Sequence, residues 1–510
     1  MKMTNSSRRR HNGAKVSVFL ISIALLVGVA GCGGNGSESY TLTISSTEGG
    51  NVTTPGEGAF TYDAGTVVEL VAEPEEGYRF VNWIDDDQMG DLANVNDATT
   101  TIIMNYDYTI TANFALPTWV WDWYDLNAIR DDMYGIYILM NDLDSTTAGY
   151  DELASQTANG EAGWRPIGTV HNQFTGIFDG QGHEIRDLFI NCPGENGVGL
   201  FGYVDVGGVI QNVGVVNASV TGGDYVGGLA GENLIGSLSN CYSSGNVTGK
   251  KSVGGLVGTN QGSVRDCYSS GNVTGEEHVG GLAGLSDGTV SNSYSAVSVT
   301  GYEDVGGLVG IIDGTWSNSF YNYDEVLING ENIITVGALF NGDFDQWLAN
   351  DKFLDVNQKL SQEGGYYLIN DVADFKQLLA FGQDASLKFR LKNDLDLAAE
   401  PGLYIPYLAG EFDGNGHKIS NLSLDYDLVR PLGLFGYLAL GGKVDGVGVE
   451  NVNVTGTSSV GGLAGRNRGT VSDSHSAGGV TGNGDVGGLV GSNWGTVSDS
   501  YSIGSVTGND

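Results

Sequence analysis

The chain is poor in proline, cysteine and histidine, with 8, 4 and 6 of them in 510 residues. Scarce proline excludes a collagen-like triple helix, which needs it within a strict G-X-Y period. Six histidines leave little material for a histidine-based zinc site. Positive charge is scarce too. Lys and Arg number 23 against 61 Asp and Glu, a formal charge of −38 that repels nucleic acid and anionic membrane surfaces alike. The apolar run at 16–30, VSVFLISIALLVGVA, falls short of the ~20 residues a membrane span needs. Glycine is the abundant residue: 82 copies, more than twice the ordinary usage of about 7%. A hydrophobic content of 40% with 10% aromatics excludes general disorder. The glycines therefore belong to a folded, acidic protein.

Residues 1–31 hold no acid and five bases: Lys2, Arg8, Arg9, Arg10 and Lys15. A basic segment followed by a short apolar run is a secretory signal. The apolar residues expected after a twin-arginine pair are replaced by RHNG, which favours the general secretory route. The run closes in V-A-G-C at Cys32, which resembles the lipobox of bacterial lipoproteins. The resemblance implies that Cys32 is acylated and anchors the chain to a membrane, stably if two acyl chains are attached. Without residues 1–31 the net charge is −43, as expected of a solvated exterior outside the cell.

After a linker at 32–39, residues 40–115 alternate β-branched and aromatic residues between Gly-rich turns, as in YTLTIS, TVVELVAE and YTITANF. Tyr62, Asp63, Ala64 and Gly65, then Gly77, Tyr78, Phe80 and Trp83, then Ala112, Asn113 and Phe114 make this stretch resemble the divergent internalin-type B repeat, a spacer of bacterial surface proteins.

Repeats govern the rest. V-G-G-L recurs at Val226, Val253, Val279 and Val305, and again at Val460 and Val486, with spacings of 26 or 27 within each block. Stretches such as GSVRDCYSSGNVTG and GTVSDSYSIGSVTG follow, and the series strongly resembles the GLUG motif of bacterial and archaeal surface proteins. A larger duplication pairs FDGQGHEI at 178–185 with FDGNGHKI at 412–419, and VGLFGYV at 198–204 with LGLFGYL at 432–438. N-D-L-D at 141–144 and 393–396 lies farther apart, so the first copy carries an insertion at about 145–170.

A 26-residue unit of Val, Ser, Thr and Gly cannot bury a core alone, but stacked units can. Gly and β-branched residues are poor helix formers. The expected fold is all-β: a right-handed parallel β-solenoid in two modules, 118–342 and 366–510, preceded by the small β-rich repeat domain. Inward positions follow i, i+3, i+5, as at Leu238, Cys241 and Ser243, or Val264, Cys267 and Ser269. The i+2 residues Asp187, Asn212, Asn240, Asp266 and Asn292 are expected corners, because Asn and Asp tolerate left-handed backbone. The paired glycines, such as 227–228 and 254–255, are expected corners, where tight coils need positive φ and narrow bends leave no room for a Cβ. Short helices at 122–130 and 374–381 are expected to cap each module, and 343–365 to form a helical connector. No cap follows the final VTGND, so the last coil is expected either to pair with another chain or to continue in a longer reading frame.

The same residues bear on catalysis. Glycoside chemistry needs two carboxylates on one groove. Asp179 and Asp413, with His183 and His417, are the best candidates, yet Asp-Gly before a second Gly is foremost a turn signal. Some proteins bearing GLUG repeats are zinc peptidases with H-E-x-x-H, but His183-Glu184 here continues Ile-Arg-Asp. No catalytic residue and no metal site is assigned. Calcium is the one cofactor left open, by the cluster Asp85, Asp86, Asp87 and Asp91 and by the two N-D-L-D stretches. Cys241 and Cys267, one coil apart in one column, are a candidate disulfide, with a free buried pair as the other reading; Cys192 has no evident partner. Tyr242, Tyr268, Tyr294 and Phe320 share an outward column and form a candidate binding ladder for an extracellular glycan or protein, or a ladder that only stabilises its sheet. The function expected is a lipid-anchored, adhesin-like surface spacer that binds and does not catalyse; the alternative is a polysaccharide lyase or glycosidase on a β-helix.

Overall fold

The computed structural model describes residues 38–85, 92–95 and 97–508. Cys32 and the export signal lie outside them, as do Asp86, Asp87 and Asp91 of the calcium-candidate loop. Among the described residues no helix is long and apolar enough to cross a membrane.

Among the described residues the N-terminal domain holds seven strands in two sheets. Ser39–Ser46 lies between Gly58–Asp63, antiparallel, and Tyr108–Ala115, parallel, with Arg79–Asp85 beyond. Gly50–Thr54, Val67–Pro74 and Thr99–Ile103 form the second sheet. Strict alternation along Tyr108–Ala115 buries Tyr108, Ile110, Ala112 and Phe114 in a core closed by Leu42, Leu70 and Trp83. The B-repeat aromatics Trp83 and Phe114 are thus core residues of this domain.

From Thr118 onward the chain winds as a parallel β-solenoid. One coil of the first module runs through four short strands, Ser237–Ser239, Tyr242–Thr248, Lys251–Gly254 and Val257–Asn260, and the next coil repeats them. Each strand pairs in parallel with its counterpart one coil on, so four faces rise around one core. The inward columns are buried as the i, i+3, i+5 pattern requires: Ile210, Val213 and Val215; Leu238, Cys241 and Ser243; Val264, Cys267 and Ser269.

The Asn/Asp corners carry left-handed backbone, from Asp187 at φ 60° through Asn240 at 51° to Asn318 at 48°, and again at Asn421 and Asp473. The paired glycines do not. Positive φ falls one step before the V-G-G-L valine, at Tyr225, Ser252, His278, Asp304, Ser459 and Asp485. The glycine pair is required by close approach instead. A Cβ on Gly255 would stand 2.3 Å from the carbonyl oxygen of Gly281 in the next coil, and one on Gly254 2.1 Å from that of Val257. Coils that approach this closely admit no side chain at the bend.

Each module opens with a cap. Asp122 accepts from the backbone N–H groups of Tyr124 and Asp125 and starts the helix Trp123–Ala128, which buries Trp123 and Leu126. Asp371 starts Val372–Lys376 in the second module by accepting from the backbone N–H of Asp374. The insertion of the first copy supplies Tyr150–Leu153 and a tight turn at Ala158–Gly160, and it buries Trp164, whose indole N–H donates to the Leu200 carbonyl.

The connector does more than join. Its helix Asn341–Ala349 lies on the last coil of the first module, with Trp347 fully buried and donating to the Oδ1 of corner residue Asn318. Apolar packing runs unbroken from Val120 to Leu489, so the two modules share one continuous core. The last coil differs: Val497, Ile503 and Val506 are exposed, with no further coil over them among the described residues.

Candidate functional site

The aromatic ladder forms in register, Tyr242 beside Tyr268 beside Tyr294. Adjacent rings stack with centroids 4.8 Å apart and planes within 4° of parallel. Both ends are closed. The Tyr242 hydroxyl donates to the Glu184 carboxylate, and its ring lies over Gly214, where a Cβ would clash. At the other end Phe344 and Trp347 meet Tyr294 edge-on. Phe320 continues the column but is not an outward member of a binding ladder. It is 2% exposed, because the connector helix covers it with Trp347. The three tyrosines are half-buried and spend their ring faces on one another, so they present ring edges to solvent. Burial, followed by the charge of Tyr268, pushes the Tyr294 phenol up to about 12.

Cys241 and Cys267 are free thiols. The candidate disulfide is not formed, and the column supplies the reason. Its next two members are Ser293 and Ser319. In each coil the thiol or hydroxyl donates to the carbonyl two residues back and accepts from the backbone N–H of the coil before. The Cys241 N–H reaches the Cys267 Sγ at 3.4 Å, and the Cys267 N–H reaches the Ser293 Oγ at 3.1 Å. The cysteines thus hold serine positions in a hydrogen-bonded ladder, with side chains aligned rather than opposed. Burial, then the contact with Cys267, raises the Cys241 thiol well above its ordinary range. Cys192 is also free and partly buried.

The two duplicated motifs hold each other. His183 Nδ1 lies 3.1 Å from Asp142 Oδ1, which also accepts from the backbone N–H of Glu184. His417, Asp394 and Lys418 repeat this clasp at the same distance in the second module. The backbone N–H of Glu184 is the largest influence lowering the Asp142 carboxyl, ahead of His183. Asp179 accepts from the Gln181 N–H and the Asn212 amide, and Asp413 from the Asn415 N–H and Arg390. The candidate carboxylates and the N-D-L-D aspartates therefore serve turns within their own modules. Among the described residues no group of three or more His, Cys, Asp or Glu side chains is placed to hold a metal ion.

Sequence reasoning missed a cleft of about 280 Å³ where the modules meet. One wall is the edge of the first module, Glu303–Gly306 and Val309–Ile312; the other is the opening of the second. Arg430 clamps the two, donating to both carboxylate oxygens of Asp304 (2.8 and 2.5 Å) and to Glu303 (2.8 Å). The Val305 N–H donates to the Leu428 carbonyl. Tyr407, Tyr437 and Arg466 occupy one column in consecutive coils, with the two rings stacked at 5.3 Å. The first module fills the equivalent column with Tyr203, Glu232, Thr259, Leu285 and Ile311, so the only sequence signal was an arginine where no other coil has one.

Residues 40–117 match the family model of the divergent InlB B-repeat domain, and 222–248 and 249–274 match that of the GLUG motif. Halomucin of Haloquadratum walsbyi is 32% identical over 235 residues, 45% of this chain and 2% of that protein. A protein of Evansella cellulosilytica named "Putative Gly-rich membrane protein" is 35% identical over 88 residues, 17% of this chain and 10% of that one. The chain thus spans a tenth or less of the length of these curated relatives. A solved structure titled as that of "a putative immunoglobulin A1 protease" from Bacteroides ovatus aligns over 76% of this chain and 84% of its own, at 16% identity and a TM-score of 0.33.

Proposed function

We propose that this chain is an exported cell-surface protein, lipid-anchored through Cys32, whose β-solenoid spaces and presents binding surfaces for an extracellular glycan or protein without catalysing a reaction. The observation that carries the reading is the repetition itself. Every coil offers nearly the same columns, as expected of a scaffold in which reach and display matter more than one reaction centre. The side chains best suited to acid–base work, Asp179 with His183 and Asp413 with His417, are engaged in turns and in the clasp of each module. The acidic composition suits a solvated exterior, and the names of halomucin and the Gly-rich membrane protein agree with an extracellular, membrane-associated setting.

Two measurements test it. Cys32→Ser should move the protein from the membrane fraction to the soluble one; a substituted protein that still sediments with membranes removes the anchoring. The intact chain should bind specific members of a glycan and matrix-protein array, with and without Ca²⁺. A blank array, together with bond cleavage in any arrayed glycan, would replace the binding reading with the enzymatic one.

A further inference from the structure

We infer that the cleft between the modules is a binding site for an acidic sugar, held through a single carboxylate by Arg466. The inference rests on the extracellular-ligand reading and gives it a chemical class.

Arg466 carries the argument. It is half-buried on the cleft wall, and its Nε is buried with no hydrogen-bond partner. No carboxylate lies within ion-pair distance of it among the described residues, in a chain where acids outnumber bases 61 to 23. The other arginine of the cleft, Arg430, is already paired with Asp304 and Glu303. A guanidinium whose Nε is buried without a partner is costly unless a ligand completes it, and its planar fork matches a carboxylate in two parallel hydrogen bonds. A second buried donor nearby is also unpartnered: the indole N–H of Trp316, whose ring meets Tyr407 edge-on.

The rest of the wall suits a sugar. Tyr407 and Tyr437 stand in the same column as Arg466 and line the cleft, while Tyr404 behind them is tied to the Ile334 carbonyl. Phenol rings offer apolar edges beside hydroxyls, the mixture a pyranose with its C–H patches and hydroxyls requires. With coils about 4.8 Å apart, the column from Tyr407 to Arg466 extends over roughly 10 Å. It is therefore long enough to contact more than one ring. The strongly negative exterior repels dense polyanions, and of the two arginines that line the cleft only Arg466 is without an ion pair. Both features select a glycan whose acidic sugars are isolated over a continuous polyuronate.

The experiment uses the exported chain and two matched probes: an otherwise neutral oligosaccharide ending in glucuronate, and the same oligosaccharide ending in glucose. They differ only by carboxylate against hydroxymethyl. Calorimetry should show the acidic probe binding at least tenfold tighter, and Arg466→Gln should abolish that preference while the melting temperature is unchanged. Arg466→Lys, which keeps the charge and loses the fork, should retain a reduced preference and covers the case in which the glutamine variant does not fold. Equal affinity for the two probes, or a preference that survives Arg466→Gln, overturns the assignment. If neither probe binds while the chain still captures members of the wider array, the cleft assignment fails and the surface-binding reading stands. If the array is blank as well, both fail.

Discussion

Asn260 is fully buried, and its amide is a rung between coils. Its Nδ2 donates to the Ser286 Oγ at 3.1 Å and the Thr289 carbonyl at 3.2 Å, and its Oδ1 accepts from Asn233 Nδ2 at 2.8 Å. Asn260→Ala removes all three. At about 0.5–1.5 kcal/mol net for each, with the desolvated Ser286 and Thr289 groups left short of a partner, the loss is about 3 kcal/mol. Asn272 in the next coil is the matched control: its Nδ2 donates to Asn246 Oδ1 at 2.9 Å, but the pair is exposed. Water replaces that bond, so Asn272→Ala should cost no more than about 0.5 kcal/mol. A stacked-repeat array need not unfold in one step, so a single melting curve is a poor readout. Amide hydrogen exchange resolved by coil is better. Asn260→Ala should speed exchange around residues 251–290 by about 100-fold, with the N-terminal domain unchanged. If the two variants exchange alike, the buried amide column does not hold the coils together and the reasoning is wrong.

Gly255→Ala should be worse than an ordinary glycine replacement. Its Cβ would stand 2.3 Å from a backbone oxygen of the next coil, so the coils must part, at a cost of about 3 kcal/mol or more. Gly182→Ala meets nothing within 4 Å and bears only its φ of +84°, about 1 kcal/mol; thermal melts that rank them in the opposite order would refute the close-approach explanation. The Tyr294 phenol, raised by burial to about 12, is held neutral in the fold. Its contribution is therefore fully present below the ordinary value of 10 and is lost as pH rises from there through 12. Denaturant midpoints should fall over that range while phenolate absorbance lags behind free tyrosine. Ladder tyrosines that ionise like free ones, with no loss of stability, would contradict it.

The coil was legible because its signals are local and repeated. Asn and Asp at fixed offsets marked left-handed corners, and i, i+3, i+5 placed Cys241, Cys267 and their serine counterparts inside. Glycine misled because one residue type answers two demands: free rotation and absence of volume. The sequence pattern of V-G-G-L does not say which demand applies, and it is the preceding residue that carries the positive φ. Phe320 was misplaced for a different reason. Its column is right, but what lies over a column depends on a connector helix that no repeat encodes. The cleft was invisible on the same grounds, since it arises only where one module meets the next.

The rungs between coils join nearest neighbours of matching shape, and this bears on how such a molecule can change its length. A whole coil inserted between two others would meet the same asparagine, serine and glycine positions above and below, and each existing contact would be remade rather than redesigned. Copy number is then a dimension a lineage can adjust in steps of one coil, like links in a chain. The seam between the modules is the exception. Arg430, Asp304 and Glu303 are matched to one particular pair of ends, so the ruler can grow on either side of the cleft while the cleft itself stays fixed.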